Sequence, residues 1–126
     1  MSQVISTGAT KIKAKAAGES LKFSFDFTPL LPKTPGSQPP TLAATLTGTP
    51  TVVDQAGVLT IVGAAVNQAT YVGDEGQTVA IGAAVQVQIS GGVAGVSYNL
   101  TVTCADTGGN TRVMGGATYP VVLQVT

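Results

Sequence analysis

The 126 residues contain no histidine and no tryptophan, and only one cysteine, Cys104. Without histidine there is no His-based triad and no imidazole to ligate a metal. A single cysteine excludes an intrachain disulfide and a thiolate metal cluster, so the fold has to stand on packing alone. Charge is scarce as well. Asp, Glu, Lys and Arg make up 10% of the chain, against roughly a quarter in ordinary soluble domains. Such a surface protects a free monomer poorly against association. Either partners cover it, or Ser, Thr, Asn and Gln solvate it. The aromatic residues are three Phe and three Tyr, enough for a thin core between small sheets. No apolar run approaches the roughly 20 residues of a membrane-spanning helix, so no membrane partner is expected. The opening Met1-Ser2-Gln3-Val4-Ile5 lacks the charged and apolar regions of a signal peptide. The expectation is synthesis in a cytoplasm, without export by that route.

What is present is period-two alternation. Val85, Val87 and Ile89 share one face of a strand, as do Tyr98, Leu100, Val102 and Cys104, and Tyr119, Val121, Leu123 and Val125. Such strands are packed on one side and wet on the other. Phe23, Phe25 and Phe27 form another stripe and are all the phenylalanines of the chain; the pattern predicts a core face. The segment from Pro29 to Pro40 holds five of the seven prolines. Proline cannot donate to a central ladder, so a stiff connection between sheets is expected, with a recognition motif for an aromatic groove as the other reading. Beyond it, Leu42, Ala44 and Leu46 share a face. Thr51-Val52-Val53 and Val58-Leu59-Thr60-Ile61-Val62 flank Asp54-Gln55-Ala56-Gly57 and read as a hairpin. Turn signals recur along the rest, and no segment sustains a helical period with caps. About seven to eight short strands indicate an all-β, two-sheet sandwich of immunoglobulin type. A small barrel or jelly roll is the alternative.

Net charge is zero but unevenly spread. Residues 1–40 hold Lys11, Lys13, Lys15, Lys22 and Lys33 against Glu19 and Asp26, while residues 41–126 hold Arg112 against Asp54, Asp74, Glu75 and Asp106. A basic segment on an acidic body is expected to meet something negative, such as an acidic protein surface or a neighbouring copy. A few lysines without interleaved aromatics or arginines make no phosphate footprint, so nucleic acid is not expected. Residues 1–20 are small, polar and basic. They read as an extended arm, an edge strand or a frayed terminus, with residues 21–126 as the sandwich. Lys11, Lys13 and Lys15 alternate onto one side and are the candidate partner-binding residues.

Catalytic, cofactor-binding and metal-ligating residues are not expected. Asp74-Glu75 is the only close acidic pair, on a glycine turn where neighbours point apart. A calcium loop needs more oxygen ligands at regular spacing. Gly91-Gly92-Val93-Ala94-Gly95 joins two strands and opens no helix, so it fails the context of a phosphate-binding loop. In its strand register Cys104 is a small buried hydrophobe.

The residues from Ser90-Gly91-Gly92-Val93-Ala94-Gly95 through Tyr98-Asn99-Leu100-Thr101-Val102-Thr103, then Gly108-Gly109-Asn110-Thr111-Arg112 and Val121-Val122-Leu123-Gln124-Val125, resemble the end of small immunoglobulin-like virion proteins of tailed bacteriophages. Phe23-Ser24-Phe25-Asp26-Phe27 is similar to their opening strand. The resemblance covers roughly residues 21–31 and 85–126; Gly115-Gly116-Ala117 lengthens the last hairpin beyond the usual pattern. It implies a non-enzymatic structural protein of the virion, without cofactor, made in the host cytoplasm. Its first station is the capsid exterior, as a decoration or cement protein on the major capsid protein shell. A neck or tail-fibre adaptor is the alternative, and homo-oligomers fit either. From another class, a carbohydrate-binding module would use exposed Tyr71 and Tyr119. A hydrolase is a more distant reading.

Overall fold

The computed structural model describes residues 11–36, 41–116 and 119–126. Their strands are β1 (Lys11–Lys15), β2 (Ser20–Asp26), β3 (Leu46–Asp54), β4 (Thr60–Val66), β5 (Tyr71–Val72), β6 (Thr78–Val79), β7 (Ala84–Ser90), β8 (Ser97–Asp106), β9 (Thr111–Met114) and β10 (Val121–Val125). Among the described residues the only helical element is one 3-10 turn, Thr28–Leu30. The strands build an all-β sandwich. One sheet runs β1-β10-β8-β3, with β9 also on β8; the other runs β2-β7-β4; β5 and β6 form a small ribbon. All pairings are antiparallel except that of β1 with β10.

The alternating residues face each other across the sandwich. Phe23, Phe25 and Phe27 are buried against Val85, Val87 and Ile89 of their own sheet and Leu100, Val102 and Leu123 of the other. Cys104 belongs to the same cluster, and its thiol donates to the Thr47 carbonyl at 3.4 Å. Burial raises the thiol's pKa by more than that hydrogen bond lowers it. Leu42, Ala44 and Leu46 turn inward as expected, though the strand begins only at Leu46.

The corners between sheets depend on polar side chains. At the end of β3 the buried Asp54 carboxylate accepts the amides of Ala56, Val58 and Leu59, at 3.0, 2.8 and 2.9 Å. That turn carries the chain into the other sheet, where β4 pairs with β7. The expected hairpin of β3 and β4 is thus overturned: β3 pairs with β8 instead. Between β7 and β8 the Val93 amide donates to the Tyr98 hydroxyl at 2.8 Å, which pins the glycine-rich corner to the first inward residue of β8. Between β4 and β7 the pin is Asn67, 1% exposed. Its carbonyl oxygen accepts the amides of Gly82, Ala83 and Ala84, and its amide donates to the carbonyls of Ala69 and Ala80. These bonds close the base of the excursion that carries β5 and β6.

The strand β8 pairs with β9 and then, past Gly115, with β10: Val102 lies opposite Met114 and Leu100 opposite Val121. Gly115 is required there. Its φ is +112°, and a Cβ would stand 2.0 Å from the Leu100 carbonyl oxygen.

Of the readings of residues 1–20, the edge strand holds for residues 11–15, and the detached arm is corrected there. Residues 11–15 are an integral strand, paired residue by residue with β10 from Lys11 opposite Val121 to Lys15 opposite Val125. A basic composition argued for a detached segment, but the backbone ladder is indifferent to side-chain charge. Residues 1–10 lie outside the described residues.

Candidate functional site

A tight turn at residues 16–19 joins β1 to β2, with the Glu19 carboxylate accepting the Ala16 amide at 2.7 Å and Gly18 at φ 91°. The two strands therefore edge different sheets on the same side of the sandwich. The β5–β6 ribbon lies beside them, and an open cleft of about 670 Å³ separates these elements.

Lys13 reaches into the cleft. Its ammonium meets the Asp74 carboxylate at 2.5 Å and sits 5.9 Å from the centre of the Phe25 ring. The Asp74 side chain is 78% exposed and that of Lys13 only 15%, so solvent screens one partner and the pair contributes little to stability. Asp26, at the end of β2, accepts the amide and hydroxyl of Thr28, and the Gln77 amide approaches it at 3.4 Å. Tyr71 is half-buried and hydrogen-bonded to Ser24. Burial first, then the Asp26 and Asp74 carboxylates, push its phenol up to about 12. It stays protonated at any physiological pH, as a hydrogen-bonding group and not a base. The arrangement fastens the ribbon to the sandwich edge.

The structure does not bring the candidate lysines together on an exposed stripe. Lys13 is paired inside the chain. Lys15 is 3% exposed, and its ammonium donates to the adjacent Ala16 carbonyl at 2.8 Å. The Lys11 side chain lies outside the description. Lys13 and Lys15 do share one side of the strand, but that side faces into the sandwich edge. Inward-pointing charge of this kind blunts an edge strand against further pairing. Lys13 and Lys15 are therefore withdrawn as a solvent-facing patch for a partner.

Tyr71 and Tyr119, which a carbohydrate-binding module would need exposed, are both partly buried against the core, Tyr119 on the packed side where the alternation of β10 places it. Asp74 and Glu75 sit on an exposed tip as read from the sequence, but the ion pair of Asp74 with Lys13, 61 residues away, had no sequence signal. The turn from Asp106 to Asn110 was legible in the sequence, but the part its Asp106 carboxylate plays was missed. Its carboxylate accepts the amides of Gly108 and Asn110, both at 2.9 Å, and the Arg112 guanidinium at 2.7 Å. The Asn110 amide first and then Arg112 hold its pKa below the ordinary carboxylate value. An Asp two residues before Gly-Gly-Asn was the available clue to this turn. Among the described residues no group of three or more Cys, Asp or Glu is placed to hold a metal ion, and no helix is long and apolar enough to cross a membrane. No family model, curated protein or solved structure matches the chain.

Proposed function

We propose that the protein is a structural component of a tailed-bacteriophage particle, an immunoglobulin-like sandwich that binds other virion proteins and catalyses no reaction. Its station is the capsid exterior, as a decoration protein on the shell of the major capsid protein. The observation that carries this reading is the disposition of the resembling residues. Residues 90–103, 108–112 and 121–125 lie in one continuous unit: the end of β7, its corner, β8, β9 and β10. The order β2-β7-β4 facing β3-β8-β10 supports the immunoglobulin-like part, since it pairs the second, fifth and fourth main strands opposite the third, sixth and seventh. The Tyr98 hydroxyl, bonded to a backbone amide five residues upstream, supports it too, as the tyrosine corner of such folds does.

Many copies on a lattice let individually weak contacts act together, which suits a small domain of low charge. The half-buried tyrosines disfavour a carbohydrate-binding module, which needs exposed aromatic faces. Immunogold labelling of purified particles, with antibody raised against the recombinant chain, tests the proposal. Gold distributed over the head is expected. Gold confined to the neck or tail would move the station to an adaptor there. Particles free of label would overturn the virion reading.

A further inference from the structure

The charges of this sandwich are segregated. Lys13 and Lys15 turn inward at the sheet edge, Lys22 and Asp26 belong to the three-stranded sheet, Asp74 and Glu75 to the ribbon, and Asp54 and Asp106 are folded into turns. Arg112, on β9, stands opposite inward-facing Cys104 and pairs with Asp106, so among the described residues the outer face of the five-stranded sheet carries no charge. Along β8 the outward positions are Ser, Asn, Thr, Thr and Ala, in alternation with the buried residues. Register sets Thr51 and Val113 on either side of Thr103, Val53 beside Thr101, and Val122 beside Asn99. Val53 is 48% exposed and Val113 46%. The described outward positions of β1 and β10 are Ala14, Val122 and Gln124.

The edges of this sheet are guarded and its face is not. At one edge, Lys13 and Lys15 of β1 point inward. At the other, β3 breaks its register between Thr47 and Thr51, with Gly48 at φ 79° and a buried Pro50 that offers no amide. Bulges and prolines of this kind oppose strand addition. Nothing comparable protects the face.

We propose that this face docks a second copy of the chain, giving a twofold dimer in which two five-stranded sheets stack face to face. The charge pattern selects the partner. A charged surface laid on this face would lose hydration with no opposite charge to compensate it, so the face fits a surface equally free of charge, and an identical copy supplies one. In a twofold pairing the same patch serves both sides. Threonine and valine methyls on a pleated surface interdigitate at the roughly 10 Å spacing of stacked sheets. The extent also suffices. Strands about 4.8 Å apart, rising about 3.3 Å per residue, give roughly 550 Å² in projection. The accessible area of a corrugated layer exceeds its projection, approaching the roughly 800 Å² per partner of stable complexes. The inference is independent of where the protein sits in a particle.

Sedimentation velocity of the purified chain from about 1 to 100 μM tests it, because interfaces of this size reach at least micromolar affinity. The wild type is expected to form a dimer. Thr103→Lys, at the centre of the face, and Asn99→Lys, at an exposed position nearer its end, are each expected to weaken dimerisation about a hundredfold or more, because the dimer would bury an ammonium against an uncharged surface with nothing to pair it. Gln88→Lys, on the outer face of the other sheet, is expected to leave the dimer intact. Circular dichroism of each variant confirms folding, and having two face variants keeps the test open if one of them fails to fold. A wild type that stays monomeric throughout, or a dimer that survives both face substitutions, would overturn the proposal.

Discussion

Replacing Asn67 with alanine removes five side-chain hydrogen bonds from a residue 1% exposed. The three amides that converge on its oxygen, from Gly82, Ala83 and Ala84, and the carbonyls of Ala69 and Ala80 lose their shared partner. Each buried polar group left unpaired costs about 1–3 kcal/mol. Two features reduce the sum. Three donors on one oxygen are individually weaker than single bonds, and two of the amides keep main-chain partners at 3.2 Å, Gly82 the Asn67 carbonyl and Ala83 the Ala80 carbonyl, so the Ala84 amide and the Ala69 carbonyl carry most of the loss. The expected loss is about 3–5 kcal/mol, a large share of the roughly 5–15 kcal/mol that holds a domain folded. At this chain length that lowers the melting temperature by about 10–20 °C. Urea titration and thermal melting followed by circular dichroism measure it, with Gln68→Ala as the exposed neighbour expected to stay within about 0.5 kcal/mol of wild type. A loss below about 1 kcal/mol for Asn67→Ala would refute the reasoning, because the closure of the β4–β7 excursion would then not depend on the side chain.

Other outcomes follow from particular residues. Because Asp106 titrates below its ordinary value in the fold, its stabilising contribution is complete above that value and lost as pH falls through the lowered one. Melting between pH 5 and 2 is therefore expected to show an acid loss of stability that Asp106→Asn flattens, and identical acid limbs would contradict it. Gly115→Ala is expected to cost about 3 kcal/mol or more in urea titrations, since backbone must move to admit the methyl group, whereas Gly116→Ala, with open space around it, is expected to be nearly neutral. Native Cys104, 2% exposed, is expected to react with a thiol reagent only on unfolding, and Cys104→Ser to cost about 1–2 kcal/mol in thermal melts.

The elements legible in the sequence were those whose pattern is local. The Phe23, Phe25 and Phe27 stripe and the faces of β7, β8 and β10 follow from alternation alone. The β3–β4 connection was not legible, because two alternating segments around Asp-x-x-Gly look alike whether the strands pair or part to opposite sheets. Buried Asp54 makes them part by winding three amides onto one carboxylate. The lysines of β1 were read as outward because charge ordinarily faces water. At an open sandwich edge a long side chain can bury its stem and still bring its ammonium to an oxygen, as Lys13 and Lys15 do. Asn67 had no signal, since its partners are mostly main-chain atoms 13–17 residues away. The uncharged sheet face appears only when the registers of β3, β8, β9 and β10 are known, because it combines single outward residues from distant segments.

The most direct test of the central claim, that this sandwich is a piece of a virion exterior, is a pair of particle reconstructions by electron cryomicroscopy, one from intact phage and one from phage made without this chain. Difference density the size of one or two such sandwiches, repeated over the head lattice and touching the shell, is the expected result. Reconstructions that superpose without difference density at head, neck or tail would contradict it.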